Sequence, residues 1–432
     1  MKKWHNIFFP IAILLIPVQF GKHFWPSFSY IYGIRVDYLS PIIYASDISI
    51  LCLIITWVYY KKWNKQIFFS LNQAHILYGM FFLVLLLSIV FSLRPLVGLY
   101  GLLKTIEFVF FSIYIACNKP QKNNILPFLS CGIIAESFIA VLQYMKQSSI
   151  GGIFYYMGER TFNAETPGIA NASIHGQLLL RSYGTFPHPN VLAAFLLIGM
   201  ILILFHIDIK KAPSFFSLNT VFLFTLFMGT MALFTTMSRI VIVLWLICLC
   251  GVIARRAFLK TSVYAISSMT ILLCLVFIFF NTPAFTRITH LSFSDESVQQ
   301  RESLLTMSLH LIEKRPLTGV GLDNFVVALS EEKTHGHVFI LQPVHNIYIL
   351  VLTELGFFGF CLFIGILVHA GTHLYKVLKQ NITKKKNNNF VVSIAVVYCG
   401  MIILGFFDHY FLTLQQGQLL FFFIMGLIWS VH

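Results

Sequence analysis

Residues 218–254 read LNTVFLFTLFMGTMALFTTMSRIVIVLWLICLCGVIA, two apolar runs parted only by Met237-Ser238-Arg239. The hydrocarbon core of a bilayer is about 30 Å thick and takes roughly 20 apolar residues in a helix. Each run approaches that length, and the polar turn between them is short enough to require a tight helical hairpin. Reading outward, comparable runs cover 6–21, 42–59, 74–92, 97–117, 125–145, 190–206, 218–237, 240–254, 262–280, 346–370, 390–407 and 411–430. The 432 residues are 58% hydrophobic and only 11% charged, about half the charge of an average soluble domain, which excludes a soluble globule. Strand-length alternation is absent, so helices are expected rather than a barrel. The expected fold class is all-α: one polytopic membrane domain over residues 1–432, with about 12 transmembrane helices.

Charge sets the orientation. On one side of these runs lie seventeen Lys and Arg, from Lys2 and Lys3 to Lys384, Lys385 and Lys386, against the one acid Asp208. The positive-inside rule puts those short loops and both termini in the cytoplasm. The formal net charge of +14 is then a topology signal and calls for no nucleic-acid partner. The two longest connections, 146–189 and 281–345, fall outside, and connections of that length are usually functional. The start of the chain, Met1-Lys2-Lys3 and an apolar run, mimics a signal peptide. No small-x-small cleavage site precedes Gln19-Phe20-Gly21-Lys22, so the run is expected to stay as the first span. The eight cysteines fall in or at the ends of apolar runs without ligand spacing, as small core residues do. No repeat of 20 to 50 residues and no paired broken helices are evident, which weakens a secondary-transporter reading. Lys384 to Asn389 is a polar low-complexity stretch, expected to be a cytoplasmic loop.

Polar residues cluster at the exterior ends of the runs. The first exterior loop closes on Arg181-Ser182-Tyr183-Gly184-Thr185-Phe186-Pro187-His188-Pro189-Asn190. The prolines stiffen the entry and Asn190 is expected to cap the next helix; the stretch is either a helix-entry turn or, through Arg181 and the helix end, an anion site. Arg239 in the 237–239 turn either snorkels to lipid phosphate or grips a lipid-linked diphosphate bidentately. Val298 to Arg315 has the pattern of a weakly amphipathic interfacial helix, with Leu304, Leu305, Leu311 and Ile312 on one side and Arg301 at headgroup level, ending at Pro316. Gly319-Val320-Gly321 lacks a preceding strand and a third glycine, so it is a tight turn rather than a dinucleotide fingerprint. His335 and His337 beside Glu331 and Glu332 lack a third spaced ligand, so no metal is expected there.

Pro343-Val344-His345-Asn346 opens the tenth run, with Glu354-Leu355-Gly356 about two turns inside. Asn346 is the natural N-cap, which puts His345 at the positive end of a helix dipole. That end, with arginines nearby, would depress the imidazole pKa and keep it neutral at pH 7, able to accept a proton. The alternative is an ordinary loop histidine. Asp47, Lys104, Glu107, Glu136 and Glu354 lie within apolar runs, where charge is costly and is paired or functional. Lys104 and Glu107 can pair at i and i+3, whereas Asp47, Glu136 and Glu354 have no local partner.

Taken in order, R-x-x-G-T-F-x-H-P-N before a run, S-R at the start of one, R-E-x-L followed by E-K-R-P-L-T-G-V-G-L-D-N-F, and H-N-I-Y-I-L-V-L-T-E-L-G-F-F-G resemble the O-antigen ligase and polymerase family. The resemblance is strong over about 181–370. It implies a GT-C-like, inverting, metal-independent transferase in the bacterial inner membrane. Such an enzyme moves a glycan from undecaprenyl diphosphate to an acceptor hydroxyl on the exterior face, in lipopolysaccharide or polysaccharide biosynthesis. The implied partners are the undecaprenyl-diphosphate-linked donor, a lipid-core, protein or glycan acceptor, and membrane lipid, with no cofactor. By motif, Arg239, Arg301 and Arg181 would bind the diphosphate, His345 would be the catalytic base, and His188, Asn346 and Glu354 would support it. A polysaccharide polymerase of the same family, or a flippase or transporter of lipid-linked sugars, are the alternatives.

Overall fold

The computed structural model describes residues 3–63, 74–174, 177–207, 217–258, 296–332, 341–384 and 389–431. The expected span 262–280, residues 281–295 of the long loop, and His335 and His337 lie outside them. The chain is mostly helical: α1 (His5–Leu14), α2 (Ala45–Trp63), α3 (Ala74–Val90), α4 (Pro95–Asn118), α5 (Leu126–Lys146), α6 (Pro189–Leu204), α7 (Leu218–Thr235), α8 (Arg239–Phe258), α9 (Glu296–Lys314), α10 (Phe325–Glu332), α11 (Ile347–Thr383), α12 (Asn389–Gly405), the single turn α13 (Tyr410–Thr413) and α14 (Gln415–Ser430). Short antiparallel ladders sit between helices: β1 (Gly21–His23) with β4 (Ile42–Tyr44), β2 (Tyr30–Ile31) with β3 (Ile34–Arg35), and β5 (Asn171–Ile174) with β6 (Gln177–Leu180).

Among the described residues, four segments are long and apolar enough to cross a membrane: Pro95–Asn118, Lys122–Lys146, Leu218–Thr235 and Ile347–Thr383. Other expected spans appear as shorter apolar helices, such as Pro189–Leu204 and Asn389–Gly405. The shortening is local: Pro189 fixes where α6 starts, and its 16 residues rise only about 24 Å. Apolar side chains such as Leu51, Ile55, Leu83, Leu87, Leu99 and Leu103 stand exposed on the outside of α2, α3 and α4, as a lipid-facing surface requires. Composition, apolar helices and outward-facing leucines together make this a membrane protein.

At the centre runs α6. Every residue from Val191 to Leu204 is buried, the pattern of a helix enclosed on all sides. It packs against α5, α7, α8, α12 and α14. Its N-terminus therefore opens at the middle of the bundle, where the stretch 181–190 delivers the chain.

The long helix α11 is broken. Gly356 has φ 66° and ψ −172°, which frees backbone groups for a neighbour. The loop after α9 takes them: Val320 N donates to Thr353 O (2.9 Å), Gly321 N to Glu354 O (2.9 Å) and Phe357 N to Pro316 O (2.8 Å). A Cβ on Gly356 would lie 2.1 Å from Leu317 O, and one on Gly319 2.3 Å from Glu354 O. The P-L-T-G-V-G and T-E-L-G motifs thus form one interlocked backbone joint rather than two separate turns. Beyond Gly356, α11 stays helical to Thr383, well past the end at 370 expected for that run. The amphipathic helix expected over 298–315 is α9, with Leu304 and Leu311 buried and Leu305 exposed.

Candidate active site

The stretch 181–190 is held by α5. Gln143 Oε1 accepts from Tyr183 N (3.0 Å) and Gly184 N (2.8 Å), while its Nε2 donates to Gly184 O (2.8 Å). Glu136, fully buried, accepts from Thr185 N (2.9 Å) and Thr185 Oγ1 (2.7 Å). Gly184 has φ +60°, and a Cβ there would sit 2.3 Å from Glu136 Oε2, so only glycine admits this carboxylate. The acid in span five, with no local partner in sequence, thus serves as a backbone clamp on the stretch.

From this clamp the chain reaches two other elements. Arg181, 7% exposed, donates through Nε to Thr236 O (2.8 Å), beside the 237–239 turn, and through a terminal nitrogen to Asn190 Oδ1 (2.6 Å). Asn190 Nδ2 donates in turn to Asp408 Oδ2 (2.8 Å). Asn190 is therefore not the helix cap: His188 holds that position, its Nδ1 accepting from Asn190 N (3.1 Å). Asn190 is freed to carry the Arg181 connection to Asp408. Asn346 does cap α11, accepting from Tyr348 N (2.9 Å) and Ile349 N (3.1 Å).

Asp408 and His409, in the turn between α12 and α13, meet His345. The His345 and His409 rings lie 5.0 Å apart at 72°. Asp408 Oδ1 accepts from His409 N (2.9 Å) and lies 4.0 Å from His409 Nε2. The far nitrogen of His409 is held by Thr413 Oγ1 (2.6 Å), whereas His345 Nδ1 is buried and has no hydrogen-bond partner among the described residues. Burial lowers the pKa of His345; Arg301 pushes it further down and Asp408 opposes them. Burial likewise holds His188 and His409 well below the ordinary value. Burial works against charge on Asp408, but His345, His409, His188 and Arg301 together keep its carboxyl below the usual carboxylate range. The arrangement is a neutral imidazole beside a carboxylate, with the guanidinium of Arg301 within electrostatic reach of both.

Among the described residues, His345, Asp408 and His409 each offer a ligand atom, all within 4.8 Å of one another. Two imidazoles and a carboxylate are a donor set that zinc and other divalent ions accept. The expectation of no metal, drawn from the H-x-H pair, did not consider this group.

Next to the histidines is a cavity of about 330 Å³, lined by His345, His188, Glu354, Asp408 and His409 together with Arg160, Lys104, Asp323 and Gln416. Its wall includes His23, Asp37, Tyr38 and Ser40, from the connection between the first two expected spans. The structure thus gathers His345, His188 and Glu354 at one cavity and puts Arg301 within electrostatic reach. Arg239 opens α8, three residues beyond the carbonyl that Arg181 holds; Arg181 itself is committed to the scaffold and does not line the cavity.

Asp408, His409 and the wall from 23–40 were missed by sequence reasoning. An Asp-His pair in the short turn before the last expected span, on the side expected to face the exterior, was a visible signal, as was a connection of about twenty residues between expected spans one and two, since connections that long are usually functional. Residues 222–364 match the family model described as O-antigen ligase. The match covers Arg239, Arg301, His345 and Glu354, so the resemblance read from the motifs is shown for the segment that carries most of them. No curated protein matches the chain.

Proposed function

From the O-antigen ligase segment at residues 222–364 we propose that this membrane protein is a glycosyltransferase that moves a glycan from undecaprenyl diphosphate to an acceptor hydroxyl on the exterior face of the inner membrane. The observation that carries the reading is His345: a neutral imidazole with an unpartnered nitrogen, beside Asp408, on a cavity wall. His345 takes the proton of the acceptor hydroxyl as its oxygen attacks the anomeric carbon. The bond from that carbon to the diphosphate oxygen breaks with inversion, and undecaprenyl diphosphate leaves with the electron pair. Asp408 stabilises the imidazolium that forms, as a carboxylate beside a histidine base does. Arg301 and Arg239 stabilise the charge that develops on the diphosphate, the role cations play in phosphate-leaving chemistry. Arg181 positions Asn190 and through it Asp408, while Asn346 and Glu354 fix the start and the break of α11 behind His345.

A second reading comes from the same three side chains: His345, Asp408 and His409 hold a divalent ion that polarises the acceptor. The guanidinium of Arg301 nearby favours the metal-free reading, because it and a divalent cation repel. Purified protein in nanodiscs, given undecaprenyl-diphosphate glycan and acceptor, decides between them. Transfer that persists in chelator supports the base; transfer that vanishes in chelator and returns with one added metal sinks it. Product size separates the remaining alternatives: one added block marks a ligase, a ladder a polymerase. Movement of the lipid across the bilayer without transfer marks a flippase.

A further inference from the structure

The cavity beside His345 is lined by a buried polar group without a hydrogen-bond partner among the described residues. Gln416, at the start of α14, is 1% exposed, and among the described residues neither its amide nitrogen nor its amide oxygen has a hydrogen-bond partner. The neighbouring glutamines are satisfied: Gln415 Nε2 donates to Ser46 Oγ (3.1 Å) and also bonds Asp47, and Gln418 Nε2 donates to Leu412 O (2.8 Å). A buried amide left unpaired costs stability, and such groups in native proteins call for an explanation. Gln416 lines the cavity. So does Gln19, whose Oε1 is a second buried, unpartnered amide oxygen.

The chemistry of these groups selects a ligand. A neutral amide offers one donor and one acceptor side, which complements hydroxyls that are themselves both. A diphosphate calls instead for several cations, and Arg181, Arg239 and Arg301 are not in the wall; of the two that are, Lys104 pairs with Asp47 and Arg160 donates to Pro187 O (2.8 Å) and lies over the Tyr183 ring. An alkyl chain has no use for the amides or for Asp37, Asp323 and Arg160 in the same wall. A volume of about 330 Å³ gives room for a sugar ring and lies at the small end of ligand pockets. The half-buried ring of Tyr38 adds apolar surface for a sugar's C–H face.

We infer that this cavity is a saccharide subsite that seats a neutral, hydroxyl-bearing sugar ring against the Gln416 amide, within reach of His345. The sugar is either the acceptor's or the first sugar of the donor; that assignment rests on the transferase reading, but the binding itself does not.

The test uses the full chain in nanodiscs with glucose, galactose and N-acetylglucosamine as probes in saturation-transfer NMR. The wild type should transfer saturation to ring protons of at least one sugar, and Gln416→Leu should abolish or strongly reduce it. Absence of transfer to every sugar, or equal transfer to both proteins, overturns the subsite even if the chain proves to be a transferase. Saccharide binding without any glycan transfer leaves the subsite standing and removes the transferase. Thermal melting separates recognition from structure: Gln416→Leu removes an unsatisfied polar group, so its midpoint should match or exceed the wild type, and a clear fall assigns Gln416 to the scaffold instead. Where transfer is measurable, losing both amide hydrogen bonds should raise one KM by about tenfold with kcat little changed. A rise for the acceptor places the acceptor sugar there, a rise for the donor places the donor's, and no change in either overturns the proposal.

Discussion

His345 acts in the proposed reaction through its neutral form, and burial with Arg301 lowers its pKa. Lowering widens the neutral range, so the rate should be flat above the ordinary histidine value of about 6.5 and fall only as pH drops through the depressed pKa. His345→Ala should keep donor binding, lose transfer on the order of 100-fold or more, and lack that acid limb. Asp408 raises the His345 pKa, so Asp408→Asn should move the limb to lower pH as well as slow transfer; a limb that moves up contradicts the pairing. Arg239→Lys and Arg301→Lys keep charge but lose the bidentate fork, so each should lose much of the single-turnover rate. Normal transfer by His345→Ala with a dead His188→Ala would instead place the base in the first exterior loop.

Two joints hold elements around the cavity. Lys104 on α4 pairs with Asp47 on α2 and lies 3.7 Å from Glu107, and Lys104 and Asp47 are only 7% and 4% exposed. Removing one partner leaves a buried charge uncompensated, so Lys104→Met should cost roughly 3–5 kcal/mol. Adding Asp47→Asn should recover much of that loss in thermal melts of the detergent-solubilised protein, whereas additive losses would show that the pair is not the cause. The second joint is the break in α11. With φ 66° at Gly356 and Leu317 O only 2.1 Å from any added Cβ, Gly356→Ala must both strain the backbone and push the 316–321 loop away. A cost on the order of 1–3 kcal/mol from strain alone is expected, with the clash adding to it, and melting should read a clear fall in midpoint.

For the whole molecule, the proposed reaction requires the cavity to face the exterior, the orientation that the lopsided Lys and Arg distribution predicts. In a cysteine-free background, a single cysteine replacing Leu317, which is exposed in the α9 to α10 loop, should react with a membrane-impermeant reagent added outside intact cells. One replacing Asn387 should react only after the membrane is opened. Exterior labelling at Asn387 would invert the protein and put the histidines on the wrong face for the proposed reaction.

The sequence by itself determined the helical membrane class, the ends of α6 to within two residues, the start of α11, the Asn346 cap and the amphipathic α9. All of these are set by residues a few positions apart: runs of apolar side chains, a proline, an amide that bonds its own next turn. It also singled out Arg239, Arg301 and His345 through ordered motifs. What only tertiary structure decided is who meets whom across 20 to 300 residues. Lys104 looked paired with Glu107 at i and i+3, yet its shorter contact is Asp47 from another helix. Glu136 had no local partner because its partner is Thr185, through backbone and hydroxyl, and Asn190 left the cap to His188 because Arg181 and Asp408 bond the two ends of its amide. Asp408 and His409 stand 63 and 64 positions from His345. No periodicity links such distant residues; packing α12 and α14 against α6 and α11 is what brings the acid and the second histidine to the base.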